Sequence, residues 1–244
     1  GWLNRWKYWL RWKRFGLQRA TNRLAPTVTY EELPMARILI TSGPTRQHLD
    51  PVRYLTNSSS GQMGCAVAAA ALSLGHQVTI VTGPVQITYP VEATVIPVIS
   101  TQDMFDACVE LYPDFSGAIG VAAPCDYEPL VVASEKIAKT GKPLQLELHE
   151  TRDIIAHLGA GKRNDQWVVG FALETHDERF RALAKLETKC CDMIVLNRPE
   201  AMQSDSNQVE LFDATGTCLA NPGGLKEDVA KEILKHIDAL LINS

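Results

Sequence analysis

The sequence predicts an α/β fold in three layers, a mostly parallel central sheet with helices on both faces. Short apolar runs of strand length recur at 36–41, 77–82, 118–123, 167–172 and 193–196. Stretches with helical composition or periodicity separate them, and this alternation is the pattern of a parallel sheet. Polar loops follow the runs, as in sheets whose ligands bind beyond the carboxyl ends of the strands.

In order, Ala36-Arg37-Ile38-Leu39-Ile40-Thr41 is a buried strand. The loop from 42 to 57 is longer than most strand–helix connections, and long ordered loops tend to be functional. It carries Arg46, His48, Asp50 and Arg53. Asn57-Ser58-Ser59-Ser60-Gly61-Gln62-Met63-Gly64 then opens an alanine-rich helix. The serines are expected to cap it, and Gly61 and Gly64 to let backbone approach a ligand closely. Unpaired N–H groups and the positive dipole end would face the loop, which suits a phosphate.

The run 77–82 is a second strand, stopped by Gly83-Pro84, and 93–98 a third, ended by Pro97. Ser100 and Thr101 stand where they can cap a helix over 102–111. A fourth strand of small residues covers 118–123. The alternation at 144–148 predicts a half-exposed strand, and 153–158 a short helix. Strand 167–172, helix 178–189 and strand 193–196 follow. A hairpin joins 209–212 to 217–219 around Thr215-Gly216, and 225–241 is an amphipathic helix.

With 244 residues and 45% hydrophobic content, the chain can bury a sizeable core. No apolar run approaches the roughly 18 residues needed to span a bilayer, and the N-terminus lacks the apolar region of a cleavable signal. The six cysteines show no metal-ligand spacing, and the adjacent Cys190 and Cys191 read as packed thiols. A reduced, cytoplasmic protein is expected. Seven bases and no acid precede Glu31, so the remainder carries 17 bases against 28 acids. An acidic body argues against nucleic acid as a partner.

Residues 1–34 differ from the rest. Trp2, Trp6, Trp9 and Trp12 recur at near-helical spacing among the bases, the pattern of a membrane-surface segment. Any membrane contact is expected only through residues 1–30. The alternative is an extension outside the folded unit, which would then run from Met35 to residue 244.

Three nucleotide chemistries fail on the residues. The first strand is followed by Ser42-Gly43-Pro44-Thr45 in place of G-x-G-x-x-G, and the second lacks the acid that binds a ribose. No G-K-[ST] phosphate loop and no G-x-S-x-G elbow occurs. What remains is a phosphate-cradling helix start and several polar loops. Taken singly, Asp126 could cap a turn, Phe171 could be core, and Lys136 and Lys139 could be solvated charges. Lys185 and Lys189, four apart, share one helix face.

Taken together, ordered blocks carry a resemblance. They are Thr41-Ser42-Gly43-Pro44-Thr45-Arg46, Asp50-Pro51-Val52-Arg53-Tyr54, Asn57-Ser58-Ser59-Ser60-Gly61 with Met63-Gly64, Asp126-Tyr127, Glu135-Lys136-Ile137, Val168-Val169-Gly170-Phe171, Glu174-Thr175 and Ser204-Asp205. From Met35 to about Leu241 the chain resembles phosphopantothenoylcysteine synthetase, in many bacteria the C-terminal half of a bifunctional coenzyme A flavoprotein. The resemblance implies a Rossmann-like fold with a small antiparallel extension used for dimerisation. It also implies a two-step ligation. The carboxylate of 4′-phosphopantothenate attacks the α-phosphate of CTP, favoured over ATP, and pyrophosphate leaves. The amine of L-cysteine then attacks the acyl-cytidylate and releases CMP. Mg²⁺ would accompany the triphosphate, with no metal ligands assigned on the chain.

The resemblance also implies residue roles. Asn57 would steady the acyl-cytidylate and Lys136 would offset phosphate charge, with Arg53 and Asn57 touching substrate. The nucleotide would meet Ser59, Ser60, Gly61, Ala122, Asp126, Arg152, Asp153, Ile154, Ile155, Phe171, Lys185 and Lys189. Gln62 replaces a frequent lysine, Cys125 a usual alanine and Arg152 a frequent proline. The flavin-dependent half is not among these blocks, so neither FMN nor decarboxylation is expected, and a separate decarboxylase would act in the pathway. The rival readings are a dinucleotide-type oxidoreductase and a non-catalytic membrane-associated binding module.

Overall fold

The computed structural model describes residues 35–197 and 206–243. The tryptophan-rich segment 1–34 and the block Ser204-Asp205 lie outside these residues. The first half contains β1 (Arg37–Ser42), β2 (Arg46–His48), β3 (Tyr54–Thr56), α1 (Gln62–Ser73), β4 (Gln77–Thr82), β5 (Thr94–Pro97), α2 (Thr101–Leu111) and β6 (Gly117–Gly120). Then come β7 (Tyr127–Pro129), β8 (Leu148–Glu150), α3 (Ile154–Gly161), β9 (Trp167–Leu173), α4 (Glu178–Thr188) and β10 (Met193–Asn197). The last elements are β11 (Ser206–Asp213), β12 (Cys218–Ala220), β13 (Gly223–Leu225) and α5 (Lys226–Ile237).

The main sheet runs β12-β11-β10-β9-β6-β1-β4-β5. Every neighbouring pair from β10 to β5 is parallel, while β11 and β12 add antiparallel at one edge. The chain first builds outward from β1 to β5, then returns to the other side of β1 with β6. That reversal between β1 and β6 opens a crevice at the carboxyl ends of the two strands.

Alternation along the strands divides the core between the two faces. Ile38 and Ile40 of β1 join Val169, Val195, Leu211 and the helices α1 and α5 on one face. Leu39 joins Val168, Ile194, Leu196 and residues of α2, α3 and α4 on the other. Each fully buried Ile or Leu contributes about 1.5–3 kcal/mol of transfer free energy, before conformational entropy is subtracted. The small residues Ala66, Ala70 and Ala71 of α1 are buried in the same layer as Val229, Ile233 and Ile237 of α5.

Several expectations need correction. The serines do not cap α1. Its N-cap is Gly61 at φ 79°, with no side-chain cap, and Ser60 Oγ accepts the Gln62 N–H only at 3.4 Å. A left-handed backbone of this kind favours glycine. Gly64 serves packing, since a Cβ there would overlap the side chain of Ser42. Ser100 does cap α2, in a reciprocal box with Asp103, but Thr101 is already helical.

The strand expected at 118–123 leaves regular pairing after Gly120. Of the segment 144–148 only Leu148 is in a strand, the first residue of β8, which pairs with Tyr127–Pro129 away from the main sheet. Without a covering layer, Leu144, Leu146 and Leu148 stay exposed. The 42–57 loop contains an antiparallel ribbon of β2 and β3, with the Arg46 guanidinium 4.5 Å over the Tyr54 ring. Cys191 is packed in the core, but its neighbour Cys190 is exposed at φ 51°. No helix among the described residues is long and apolar enough to cross a membrane.

Candidate active site

A cleft of ≈ 580 Å³ lies at the carboxyl ends of β1, β6, β9 and β10. One wall is the loop 57–61 and the first turn of α1. The opposite wall is formed by Arg152, Asp153, Ile154 and Ile155 at the start of α3, with Lys185 and Lys189 of α4. Between them lie Gly120, Ala122 and Phe171. Gly120 leaves room for Ile155, because a Cβ there would overlap the Ile155 side chain. Phe171 is half-buried, packing on the core while also facing the cleft.

Asn57 closes the cleft beside β6. Its Nδ2 donates to Pro124 O at 2.8 Å and to Ala123 O at 3.3 Å. The donor side of the amide is therefore engaged by the protein, and Oδ1 is the atom left for a substrate. The loop after β6 is held from below by hydroxyls. Thr45 Oγ1 accepts the Cys125 N–H at 2.8 Å, and Thr101 and Thr151 donate to Cys125 O at 3.1 and 2.7 Å. This fixes the backbone that carries Asp126 to the cleft edge. Burial pushes the Cys125 thiol up, and its Sγ lies 3.6 Å from the carbonyl oxygens of Thr45 and Leu55.

The charged residues reach the cleft already paired. Asp153 caps α3 through the Ala156 N–H at 2.9 Å and meets Lys189 Nζ at 2.9 Å. Lys185 Nζ lies 2.7 Å from Glu174 Oε1, a carboxylate only 5% exposed. A phosphate at this wall competes with two carboxylates for the lysines. Arg152 lies over the Phe105 ring at 4.9 Å, so its guanidinium stacks on an aromatic face.

Two expected residues do not line the cleft. Arg53 donates to Asp50 Oδ2 at 2.7 Å and to Ile137 O at 2.9 Å, which ties the ribbon to a distant segment. Lys136, beside that tie, is exposed. All the other expected site residues line the cleft: Asn57, Ser59, Ser60, Gly61, Ala122, Asp126, Arg152 to Ile155, Phe171, Lys185 and Lys189. A second cavity of ≈ 470 Å³, lined by Arg46 and Tyr54, shares Asn57, Ser58, Ser59, Ser60 and Gln62 with the first. The serine loop is thus a wall between two spaces.

Sequence reasoning missed Asn197, Asn207 and Lys226, which line the main cleft. A signal existed for two of them. Asn207, Val209 and Leu211 alternate on one strand face, so an amide occupies an inward register. Lys226 lies on the stripe continued by Val229, Ala230, Ile233, Leu234 and Ile237, so a charge occupies the apolar face of α5.

Fold and cleft together define an open, doubly wound α/β domain with its cavity where the strand order reverses. The chain belongs to the DNA/pantothenate metabolism flavoprotein C-terminal domain family, whose model matches residues 33–241. The coenzyme A biosynthesis bifunctional protein CoaBC of Vibrio vulnificus (strain CMCP6) is 40% identical over 210 residues, 84% of this chain and 52% of that protein. A relative with a different name, cysteine/cysteine sulfinic acid decarboxylase from an unknown prokaryotic organism, is 38% identical over 219 residues, 88% of this chain and 61% of that protein. The crystal structure of the C-terminal domain of CoaBC superposes with a TM-score of 0.75 at 38% identity, covering 87% of this chain and 98% of that one. The chain spans about half the length of the CoaBC relative. The resemblance read from the sequence blocks is therefore a family relationship.

Proposed function

We propose that the chain is a ligase that joins 4′-phosphopantothenate to L-cysteine at the expense of a nucleoside triphosphate, CTP in preference to ATP. One observation carries the reading. In a member of this family, the start of α1, Asp126, Phe171, Lys185 and Lys189 converge on one cleft. The phosphopantothenate carboxylate attacks the α-phosphate, and pyrophosphate leaves with the electron pair of the broken bond. The cysteine amine then attacks the acyl carbon of the cytidylate, and CMP leaves. No protein nucleophile takes part, so rate comes from positioning and charge stabilisation.

The residues divide the work. The first turn of α1 directs N–H groups and its dipole at phosphate, beside Ser59, Ser60 and Gly61. Asp126 reads the base, and Phe171 flanks base or ribose. Asn57 presents Oδ1 as an acceptor for the attacking cysteine amine, on the loop shared by the two cavities. Lys136 offsets phosphate charge, and Arg53 anchors the segment that carries it. Among the described residues no group of three or more His, Cys, Asp or Glu is arranged to hold a metal. Asp126 and Glu150 line the cleft and are the carboxylates that would stand near a Mg²⁺ carried by triphosphate oxygens and water. When bound, it neutralises triphosphate charge.

The exposed apolar residues Leu130, Val131, Val132, Leu144, Leu146 and Leu148 on and beside β7 and β8 support a homodimer built on that extension. The functional unit is proposed to begin at Met35, with residues 1–34 outside it, and to work in the cytoplasm. Its product would pass to a phosphopantothenoylcysteine decarboxylase.

The test is to incubate the protein with phosphopantothenate, cysteine and each nucleoside triphosphate, and to assay pyrophosphate. Phosphopantothenate-dependent release, fastest with CTP, is expected. No release with any nucleotide would sink the ligase reading. Carbon dioxide from cysteine without pyrophosphate would favour the activity named for the second relative.

A further inference from the structure

One corner of the cleft contains none of the residues expected to bind nucleotide. Asn207 near the start of β11, Asn197 at the end of β10 and Lys226 at the start of α5 meet there, in the same cleft as Gly61 and Gln62 at the start of α1. Asn207 is only 5% exposed. Its Oδ1 accepts the Gln208 N–H at 2.8 Å, which sets the orientation of the amide. Among the described residues Nδ2 has no hydrogen-bond partner. Buried amide donors are paired as a rule, because an unmet one loses water and gains nothing in return. An amide on a residue that lines the cleft, anchored through its oxygen and with its buried donor end unmet, is complementary to an acceptor that arrives with a ligand.

The surroundings favour an anionic acceptor. Lys226, a residue only 8% exposed, adds a positive charge to the apolar stripe of α5. The twelve-residue α1 has no acidic residue in its first turn, so its positive end is not offset there. α5 contributes less, since Glu227 and Asp228 occupy its first turn; both are exposed, and Asp228 pairs with Lys231 at 3.1 Å.

We propose that Asn207 and Lys226 bind the terminal phosphates of the nucleoside triphosphate, and so the pyrophosphate that leaves. This deepens the proposed function and rests on it for the identity of the ligand. The start of α1 stands across the cleft from α3, and Asn207 and Lys226 line the same cleft. A triphosphate running past α1 brings its β- and γ-phosphates to Asn207. When the substrate carboxylate bonds to the α-phosphorus, the bond from the α-phosphorus to the bridging oxygen breaks, and that oxygen leaves on pyrophosphate with the electron pair. Asn207 Nδ2 and Lys226 Nζ donate to non-bridging oxygens of that leaving group, and no proton transfer is needed.

The test is calorimetric binding of magnesium pyrophosphate, of CMP and of phosphopantothenate to the full chain, without turnover. Asn207→Asp keeps the acceptor for Gln208 but replaces the donor with negative charge. Asn207→Ala removes the donor, and Lys226→Met keeps the stem that packs on the apolar stripe. Pyrophosphate binding should weaken roughly tenfold in Asn207→Ala and Lys226→Met, and further in Asn207→Asp, as expected on losing charge-assisted hydrogen bonds. CMP affinity should stay within about twofold, which also certifies the fold. The proposal is overturned if the variants bind pyrophosphate like the wild type, if CMP binding falls in parallel, if phosphopantothenate is the ligand that weakens, or if the wild type does not bind pyrophosphate. A wild type that binds pyrophosphate at this corner yet releases none from CTP would remove the ligase reading alone.

Discussion

The carboxylate of Asp50 accepts the backbone N–H of Ile137 at 3.1 Å, across 87 residues of sequence. Arg53 closes the contact by donating to both partners. The β2–β3 ribbon is thereby latched to the segment that carries Lys136.

The latch should show in acid. Burial alone would raise the Asp50 carboxyl, but the N–H groups of Val52, Ile137 and Arg53, with the Arg53 guanidinium, hold it down at about 2. A carboxyl lower in the folded state contributes stability that is present above its unfolded value of about 4 and lost as pH falls through the folded value. Asp50→Asn should therefore flatten the pH dependence of urea unfolding between about pH 4 and 2, and speed amide exchange at Ile137. An unchanged slope would show the latch to be inert.

Asn57→Asp keeps the shape of the side chain but sets a carboxylate against the carbonyl oxygens of Ala123 and Pro124. The cleft wall should loosen, and negative charge should face the acyl-phosphate. A displacement of about 1 Å in a group that positions the reactants costs roughly a hundredfold in rate. Attack by cysteine should slow by that order, and acyl-cytidylate should accumulate in rapid-quench mass spectra. Turnover of cysteine at the wild-type rate would reduce the loop to a structural wall.

Gly64→Ala forces a methyl group into Ser42, whose hydroxyl also accepts from Tyr89 at 2.8 Å. Overpacking of this kind costs about 1–3 kcal/mol. Urea unfolding should register that loss. Nucleotide affinity should fall as well, since the displaced helix is the one whose start lines the cleft. Full affinity in a destabilised variant would separate packing from binding.

Lys185→Met and Lys189→Met should differ in kind. Removing Lys185 leaves the buried Glu174, among the described residues, with Arg181 at 3.4 Å as its ion-pair partner, so roughly 1–3 kcal/mol of stability should go with it. Lys189 pairs with the exposed Asp153, and its loss should cost at most about 1 kcal/mol. Both should weaken nucleotide binding. Equal melting temperatures would mean that the Glu174 contact is not stabilising.

Much of the fold was legible because buried parallel strands are apolar runs. β1, β4, β9 and β10 announce themselves through Ile, Val and Leu, and α5 through its stripe. The β2–β3 ribbon was not legible, because its residues are polar and its pairing depends on a latch 87 residues away. The 144–148 segment alternates like a strand but has no layer to bury it. The start of α1 was misread in detail, since serine is the usual cap and only the backbone angle at Gly61 shows that glycine fills the role. Lys136 and Arg53 sit in blocks that carry the family resemblance, but their present position is set by tertiary contacts that no local pattern encodes.

The strand order has a consequence for how the molecule comes into being. The cleft draws on Thr41 and the loop at 57–61, on residues between 120 and 173, and finally on Asn207 and Lys226. A chain emerging from the ribosome can pair β1 with β4 early, yet β6 must insert on the other side of β1, and the last wall arrives only with α5. Contacts of such sequence separation form late, because loop closure precedes their reward. Ligand capture by a nascent or refolding chain would therefore act as a timer, switching on when the final helix docks.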